Sequence, residues 1–249
     1  MNPLSIRKQG FYEKYIKRIL DIVCSISAII VFSWLYIIIA IMVKIKMGSP
    51  VIFKQLRPGM IDPMTCKERI FYMYKFRSMS DEKDEQGNLL PDEKRLGRFG
   101  KILRATSLDE LPEAFNILKG DMSVIGPRPQ LVKDMVFMSD EQRKRHTAKP
   151  GLSGLAQVMG RNAITWEEKF SLDLEYINKI TLWKDFKLVL LTFKKVFLRS
   201  GELESAKETD LSIDYGESLL RSGKISEADF LALQNLATKI EEDFYNEMR

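Results

Sequence analysis

Residues 22–43 read IVCSISAIIVFSWLYIIIAIMV, with no charged side chain among them. A run of roughly 20 apolar residues is the length that crosses a bilayer core. It is too long for the apolar part of a signal peptide and no small-residue cleavage site follows it, so the segment is expected to be retained. The competing reading, a buried core helix, fits poorly with that length and with the lack of a polar face.

The flanks say more than the run. Arg7, Lys8, Lys14, Lys17 and Arg18 precede it, and Lys44, Lys46, Lys54 and Arg57 follow it. Basic flanks tend to stay cytoplasmic, so a plain span should be basic on one side only. A helix that enters the cytoplasmic leaflet, bends and returns satisfies both flanks. Ser33 near the middle suits such a bend, because a hydroxyl bonding back to the preceding turn bends helices. No proline or glycine lies between Ile22 and Val43 to force a break, so a straight span stays open. Upstream, residues 5–21 set Phe11, Tyr15, Ile16, Ile19 and Leu20 among basic residues, a pattern suited to a membrane surface.

The whole chain has 249 residues and a formal net charge of +5, room for one domain of ordinary size plus appendages. That balance suits an anionic membrane surface or phosphorylated substrates. The charge is interleaved with acids rather than gathered in one stripe, which argues against nucleic acid as a partner. Cys24 lies in the apolar run and Cys66 in a polar turn, so no disulfide framework is expected. His146 is the only histidine, which leaves no material for a histidine metal site.

Beyond the run, Gly48-Ser49-Pro50 breaks the helix, and Val51–Phe53 and Ile70–Phe76 read as short strands around an Arg57-Pro58-Gly59 turn. Residues 80–95 read as a solvated loop, and residues 97–118 as a helix. Further helices are expected over 130–146, 166–180 and 182–199. The last, LWKDFKLVLLTFKKVFLR, is amphipathic and basic, fit equally for lipid contact and for core packing. Past Ser200-Gly201 an acidic-leaning tail carries helical patterns over 210–222 and 226–247, with Ser226 as a start signal and Gly223 as a stop. The expected fold is mainly α with a small β component (α+β). Residues 1–47 form a membrane-associated amphipathic and re-entrant helix, 48–200 a compact cytoplasmic catalytic domain, and 201–249 a helical appendage.

The chemistry concentrates in Ser107-Leu108-Asp109-Glu110-Leu111-Pro112 and in Gly120-Asp121-Met122-Ser123-Val124-Ile125-Gly126-Pro127-Arg128-Pro129. Adjacent helical residues point about 100° apart, so Asp109 and Glu110 can serve different atoms, one a phosphorus and the other a metal. Taken alone, such a pair early in a helix is explained by the helix dipole. Its company changes the reading. Arg128, held between two prolines, presents a guanidinium fork suited to a phosphate. Lys75 and Arg104 add positive charge. The set is the minimum for phosphoryl transfer through a covalent aspartyl intermediate with Mg²⁺, which takes one or two carboxylates and otherwise water and substrate phosphates.

From about residue 12 to 200 the chain resembles the bacterial sugar transferase family, the monotopic phosphoglycosyl transferases of small, minimal-domain type. The resemblance runs through Tyr12-Glu13-Lys14, Gly48–Phe53, Gln55–Gly59, Tyr74–Met79, the two motifs above, Lys149-Pro150-Gly151, Gly160-Arg161-Asn162 and Lys169–Asp173. It implies that Asp109 attacks a UDP-sugar, that UMP leaves, and that polyprenyl phosphate then takes the phosphosugar. It further implies that Glu110 binds Mg²⁺, that Lys75, Arg104 and Arg128 hold phosphates, and that Arg161 and Asp173 shape the site. The implied place is the cytoplasmic face of a bacterial inner membrane, with membrane lipid as a partner. Three departures stand out. Trp34 follows Ser33 where the family has a helix-breaking proline. Leu155 and Met159 stand where many members carry Trp and Asn. The tail lies outside the resemblance and suits a homo-oligomer or pathway partner. A competing function is an inactive membrane adaptor working through that tail, and the intact Asp109-Glu110 pair and Arg128 argue against it.

Overall fold

The structure is a computed structural model that describes residues 7–160, 164–198 and 213–248. A π-helical turn, Tyr12–Ile16, runs into α1 (Lys17–Val31), and α2 (Ser33–Met47) follows at a 64° bend. No single helix among the described residues is long and apolar enough to cross a membrane. The break falls at Phe32 (φ −96°, ψ 11°), and Ser33 simply opens α2. Its hydroxyl makes no hydrogen bond among the described residues, so the bend has another cause. The two helices are pinned separately to the body of the protein.

The outer surface of α1 is apolar and its packed surface is polar. Lys17, Asp21 and Ser25 are buried, whereas Ile19, Val23, Ile26 and Ile30 are exposed. Water would favour the reverse arrangement. Lys17 pairs with Asp185 at 2.5 Å. Asp21 accepts from the Val124 N–H at 2.9 Å and from the Ser123 hydroxyl at 3.0 Å. Apolar Ile39 and Val43 seat α2 against Phe76 and Leu103.

Next comes an antiparallel pair, β1 (Ile52–Ile61) and β2 (Glu68–Phe76), in register from Ile52 opposite Phe76 to Pro58 opposite Ile70. Arg57-Pro58-Gly59 is therefore strand rather than the expected turn, which falls at residues 62–67 instead. Pro58 is tolerated because a two-stranded sheet leaves one side of β1 without a ladder, and the register shifts just after it. Gly59 is required there, since a Cβ would lie 2.8 Å from the Arg69 carbonyl oxygen.

The expected helix over 97–118 is broken. Short α3 (Asp92–Arg95) leads to α4 (Arg98–Ala105), a 3₁₀ turn covers Leu108–Glu110, and α5 (Glu113–Lys119) restarts the helix. Pro112 forces this, since a proline inside a helix clashes with the preceding turn and removes a hydrogen bond. It is tolerated in a first turn, where it stands. The expected helix over 130–146 is likewise split into α6 (Val132–Met135), α7 (Asp140–Arg143) and a 3₁₀ turn, Lys144–Thr147. Ser139 and Gln142 form a reciprocal capping box that starts α7 afresh.

Two short parallel strands, β3 (Ser123–Ile125) and β4 (Gly151–Ser153), bracket that stretch. Helices α8 (Leu155–Met159), α9 (Trp166–Asn178) and α10 (Leu182–Leu198) complete the region. Like α1, α10 buries an acid, Asp185, and exposes apolar Trp183, Phe186, Leu190 and Phe193. The tail forms α11 (Tyr215–Arg221) and α12 (Glu227–Glu247), the latter capped by Ser226. Both pack on the preceding region. Tyr215 lies between Trp166 and Phe170 (centroids 5.3 and 5.0 Å), and Phe244 sits edge-on to Tyr72 at 5.2 Å. The class is mainly helical with two small sheets, as expected.

Candidate active site

Five of the expected site residues, Lys75, Arg104, Asp109, Glu110 and Arg128, come together at the junction of β2, α4, the 3₁₀ turn and the loop after β3. Ser107 enters the turn in the left-handed region (φ 55°), which costs a non-glycine residue about 1–2 kcal/mol and marks a geometry held by its surroundings. Asp109 follows it, buried. Among the described residues its carboxylate accepts no hydrogen bond. Burial, and then the neighbouring Glu110, push its pKa up, against the pull of Lys75, Arg104 and Arg128.

Glu110 has the opposite surroundings. Lys75 Nζ and Arg128 Nη2 donate to its Oε1 at 2.9 and 2.6 Å. These two cations outweigh burial and hold its carboxyl far below the usual range. Adjacent residues thus take different electrostatic roles through environment alone. Both contacts fall on Oε1, and Oε2 accepts none among the described residues.

Glu113 is a third carboxylate here, and it was not anticipated. It is fully buried, with Lys75 Nζ 3.2 Å from its Oε1, off line for a hydrogen bond. Burial and then the charge of Glu110 push its pKa up to about 7. Its sequence signal was its spacing, three residues beyond Glu110 across Pro112.

The supports explain the geometry. Asn116 on α5 accepts from the Tyr74 N–H at 3.0 Å and donates to the Tyr72 carbonyl at 2.6 Å, locking α5 to the strand that carries Lys75. Arg104 Nε donates to Ser78 Oγ at 3.0 Å, and Gly100 admits that contact because a Cβ there would lie 1.9 Å from the Ser78 carbonyl oxygen. Arg128 sits in a loop whose backbone touches β4. A Cβ on Gly151 would lie 2.0 Å from the Gly126 nitrogen, and one on Gly154 2.1 Å from the Gly126 oxygen. The Gly126 N–H donates to Ser153 O at 2.8 Å, and the Gly151 N–H to Pro127 O at 3.0 Å.

Asp173 stands behind this loop, fully buried and bonded to Arg145 at 2.9 and 2.6 Å. Arg145 in turn donates to the Arg128 carbonyl at 2.7 Å. Asp173 thus reaches Arg128 through a second residue, Arg145, that carries no sequence signal of its own. Two more cations converge on the loop. Arg57 donates to Pro129 O at 3.1 Å, and Lys169 to Gln130 Oε1 at 3.1 Å. Lys169 lies four residues before Asp173 on α9, and burial followed by Arg145 pushes its pKa down to about 7. Arg161 lies outside the described residues, as does Asn162.

The model of the family described as bacterial sugar transferase matches residues 12–199, the segment that holds every residue of this site. The chain belongs to the bacterial sugar transferase family. The match ends before α11, so α11 and α12 are additions to what defines the family here. This bacterial sugar transferase is 44% identical over 186 residues to the uncharacterized sugar transferase EpsL of Bacillus subtilis, covering 75% of this chain and 89% of the relative. It is 39% identical to the galactosyl transferase CpsE of Streptococcus agalactiae, covering 74% of this chain and 43% of that protein. It is 35% identical to the undecaprenyl-phosphate galactose phosphotransferase of Salmonella typhimurium, covering 76% of this chain and 42% of that protein. The aligned segment is therefore nearly all of the first relative and less than half of the other two.

Proposed function

We propose that this transferase moves a phosphosugar from a UDP-sugar to polyprenyl phosphate, an initiating step of bacterial glycan assembly at the cytoplasmic face of the inner membrane. The observation that carries this reading is the contrast at one turn: Asp109 buried without a hydrogen bond among the described residues, Glu110 held ionised by Lys75 and Arg128. An oxygen of Asp109 attacks the sugar-bearing phosphorus. The bond from that phosphorus to the bridging oxygen breaks, UMP leaves with the electron pair, and an aspartyl-phosphosugar remains. An oxygen of polyprenyl phosphate then attacks the same phosphorus, the aspartyl bond breaks, and polyprenyl-diphosphate sugar is released with Asp109 regenerated. Neither step needs a general base. Arg128, braced by glycine contacts and Arg145, and Arg104 beside Asp109 offset phosphate charge.

The donor set fits Mg²⁺. No group of three or more His, Cys, Asp or Glu side chains with metal-holding geometry occurs among the described residues, but an ion that keeps its water and takes substrate phosphates needs only one or two carboxylates. Glu110, with Oε2 unengaged, would hold it. Bound there, it would offset charge on the diphosphate. The acceptor's apolar chain has a matching groove of about 630 Å³ between α2, β2 and α5, lined by residues including Ile37, Ala40, Phe76, Pro112 and Phe115. Pro112 places one wall two residues from Glu110. Exposed apolar faces on α1, α2 and α10 suit a lipid surface.

The test omits the acceptor. Protein incubated with a panel of UDP-hexoses should release one equivalent of UMP and gain the mass of a phosphosugar on Asp109. Asp109→Asn should lower that release about a thousandfold or more. Full turnover in this variant would rule out the covalent route.

A further inference from the structure

Lys75 and Arg128 hold the Glu110 side chain of the turn that carries Asp109, and its backbone accepts one hydrogen bond from outside. Among the described residues, every backbone hydrogen bond of residues 107–112 but one is local, between positions no more than four apart. The exception comes from α2, where the Tyr36 hydroxyl donates to Leu111 O at 2.5 Å. Leu111 directly follows Glu110, and the same oxygen accepts the Ala114 N–H at 3.1 Å as α5 begins. The Tyr36 ring is fixed between Phe76 at 5.9 Å and Phe115 at 5.8 Å. Leu108 and Leu111 pack in the same cluster as Tyr36, around Ile39 and Val43.

The other face of α2 is exposed and apolar, including Trp34, Ile37, Ile38, Ile41 and Ile45. One short helix therefore faces lipid on one side and grips the reacting turn on the other. At its far end the turn holds Ser107 in the left-handed region, so its pose depends on restraint from outside.

We propose that Tyr36 is a positioning residue that couples seating of α2 in a bilayer to the readiness of Asp109 for attack. Its kinetic test rests on the function proposed above; its structural test does not. Tyr36→Phe keeps the ring contacts and removes only the hydroxyl. In lipid nanodiscs, this variant should release UMP in the acceptor-free burst about fivefold more slowly, the factor expected for one lost hydrogen bond, with KM for the UDP-sugar unchanged. The wild-type burst should slow on transfer from nanodiscs to detergent micelles, and the burst of the variant should be the same in both. Amide hydrogen exchange over residues 108–115 should be slower in nanodiscs than in micelles for the wild type, and equal in both for Tyr36→Phe. A variant burst matching wild type, a loss confined to KM, or wild-type exchange that ignores the medium would each overturn the coupling. If the wild type releases no UMP from any UDP-hexose, the proposed function fails while the exchange measurement still decides the coupling.

Discussion

Helix α1 and the Leu108–Glu113 turn both bury charged groups, and they do so in opposite ways. On α1, Asp21 accepts two hydrogen bonds and Lys17 is bonded to Asp185 and Tyr176. On the turn, Asp109 accepts none among the described residues and Glu113 Oε1 is buried without one. A satisfied buried charge holds parts together, whereas an unsatisfied one is a standing cost. The first pattern is what attaches a helix with an apolar outer face to the protein. The second leaves a carboxylate free to react, as the nucleophilic role proposed for Asp109 requires. The difference separates structural from chemical use of the same residue types without any appeal to motif.

The largest effect should come from breaking the satisfied side. Lys17→Ala leaves Asp185 charged and buried, and should destabilise by about 3 kcal/mol, read from denaturant midpoints in a mild detergent. Asp21→Ala strands the Val124 N–H and should cost about 1–3 kcal/mol. A loss below a few tenths in both variants would erase the distinction drawn here.

The unsatisfied side should respond with the opposite sign. The Glu113 carboxyl is pushed up to about 7 in the folded state, above an ordinary value near 4.5. The folded protein then holds a proton that the unfolded chain has lost, so this group's contribution is full below pH 4.5 and falls as pH rises through 7. Glu113→Gln should flatten the decline in melting temperature between those values. The smallest change in stability should be that of Asp109→Asn, with a melting temperature equal to or slightly above wild type, because it removes a buried charge that accepts no hydrogen bond among the described residues. A marked destabilisation would mean that Asp109 is held by partners after all.

Much of this was legible beforehand, and the gaps have physical reasons. The apolar run, the two-sided basic flank and the α+β class follow from composition and period. Asp109, Glu110, Lys75 and Arg128 follow from types that only make sense together. The bend at Phe32 was anticipated near Ser33, but no local residue dictates it; two sets of tertiary contacts, one polar and one apolar, do. Pro58 looked like a turn because proline usually is one, and only the free side of a two-stranded sheet makes room for it in a strand. The helix over 97–118 was read through Pro112 although that residue announced the break. Glu113 was passed over although it lies three residues beyond Glu110, and Arg145 and Lys169 were given no role because each acts through a partner distant in sequence, supporting Arg128 rather than meeting the chemistry. Asp173 was placed at the site on resemblance, and its contact with the site runs through Arg145.

The clamp of Asn116 on β2 has a consequence beyond catalysis. A two-stranded sheet leaves an open backbone ladder, which in many proteins invites a strand from a neighbouring chain. On the outer edge of β2 the Tyr72 carbonyl and the Tyr74 N–H are already occupied by one side-chain amide. Asn116 acts there as a one-residue surrogate strand, closing that margin of the sheet to a further strand.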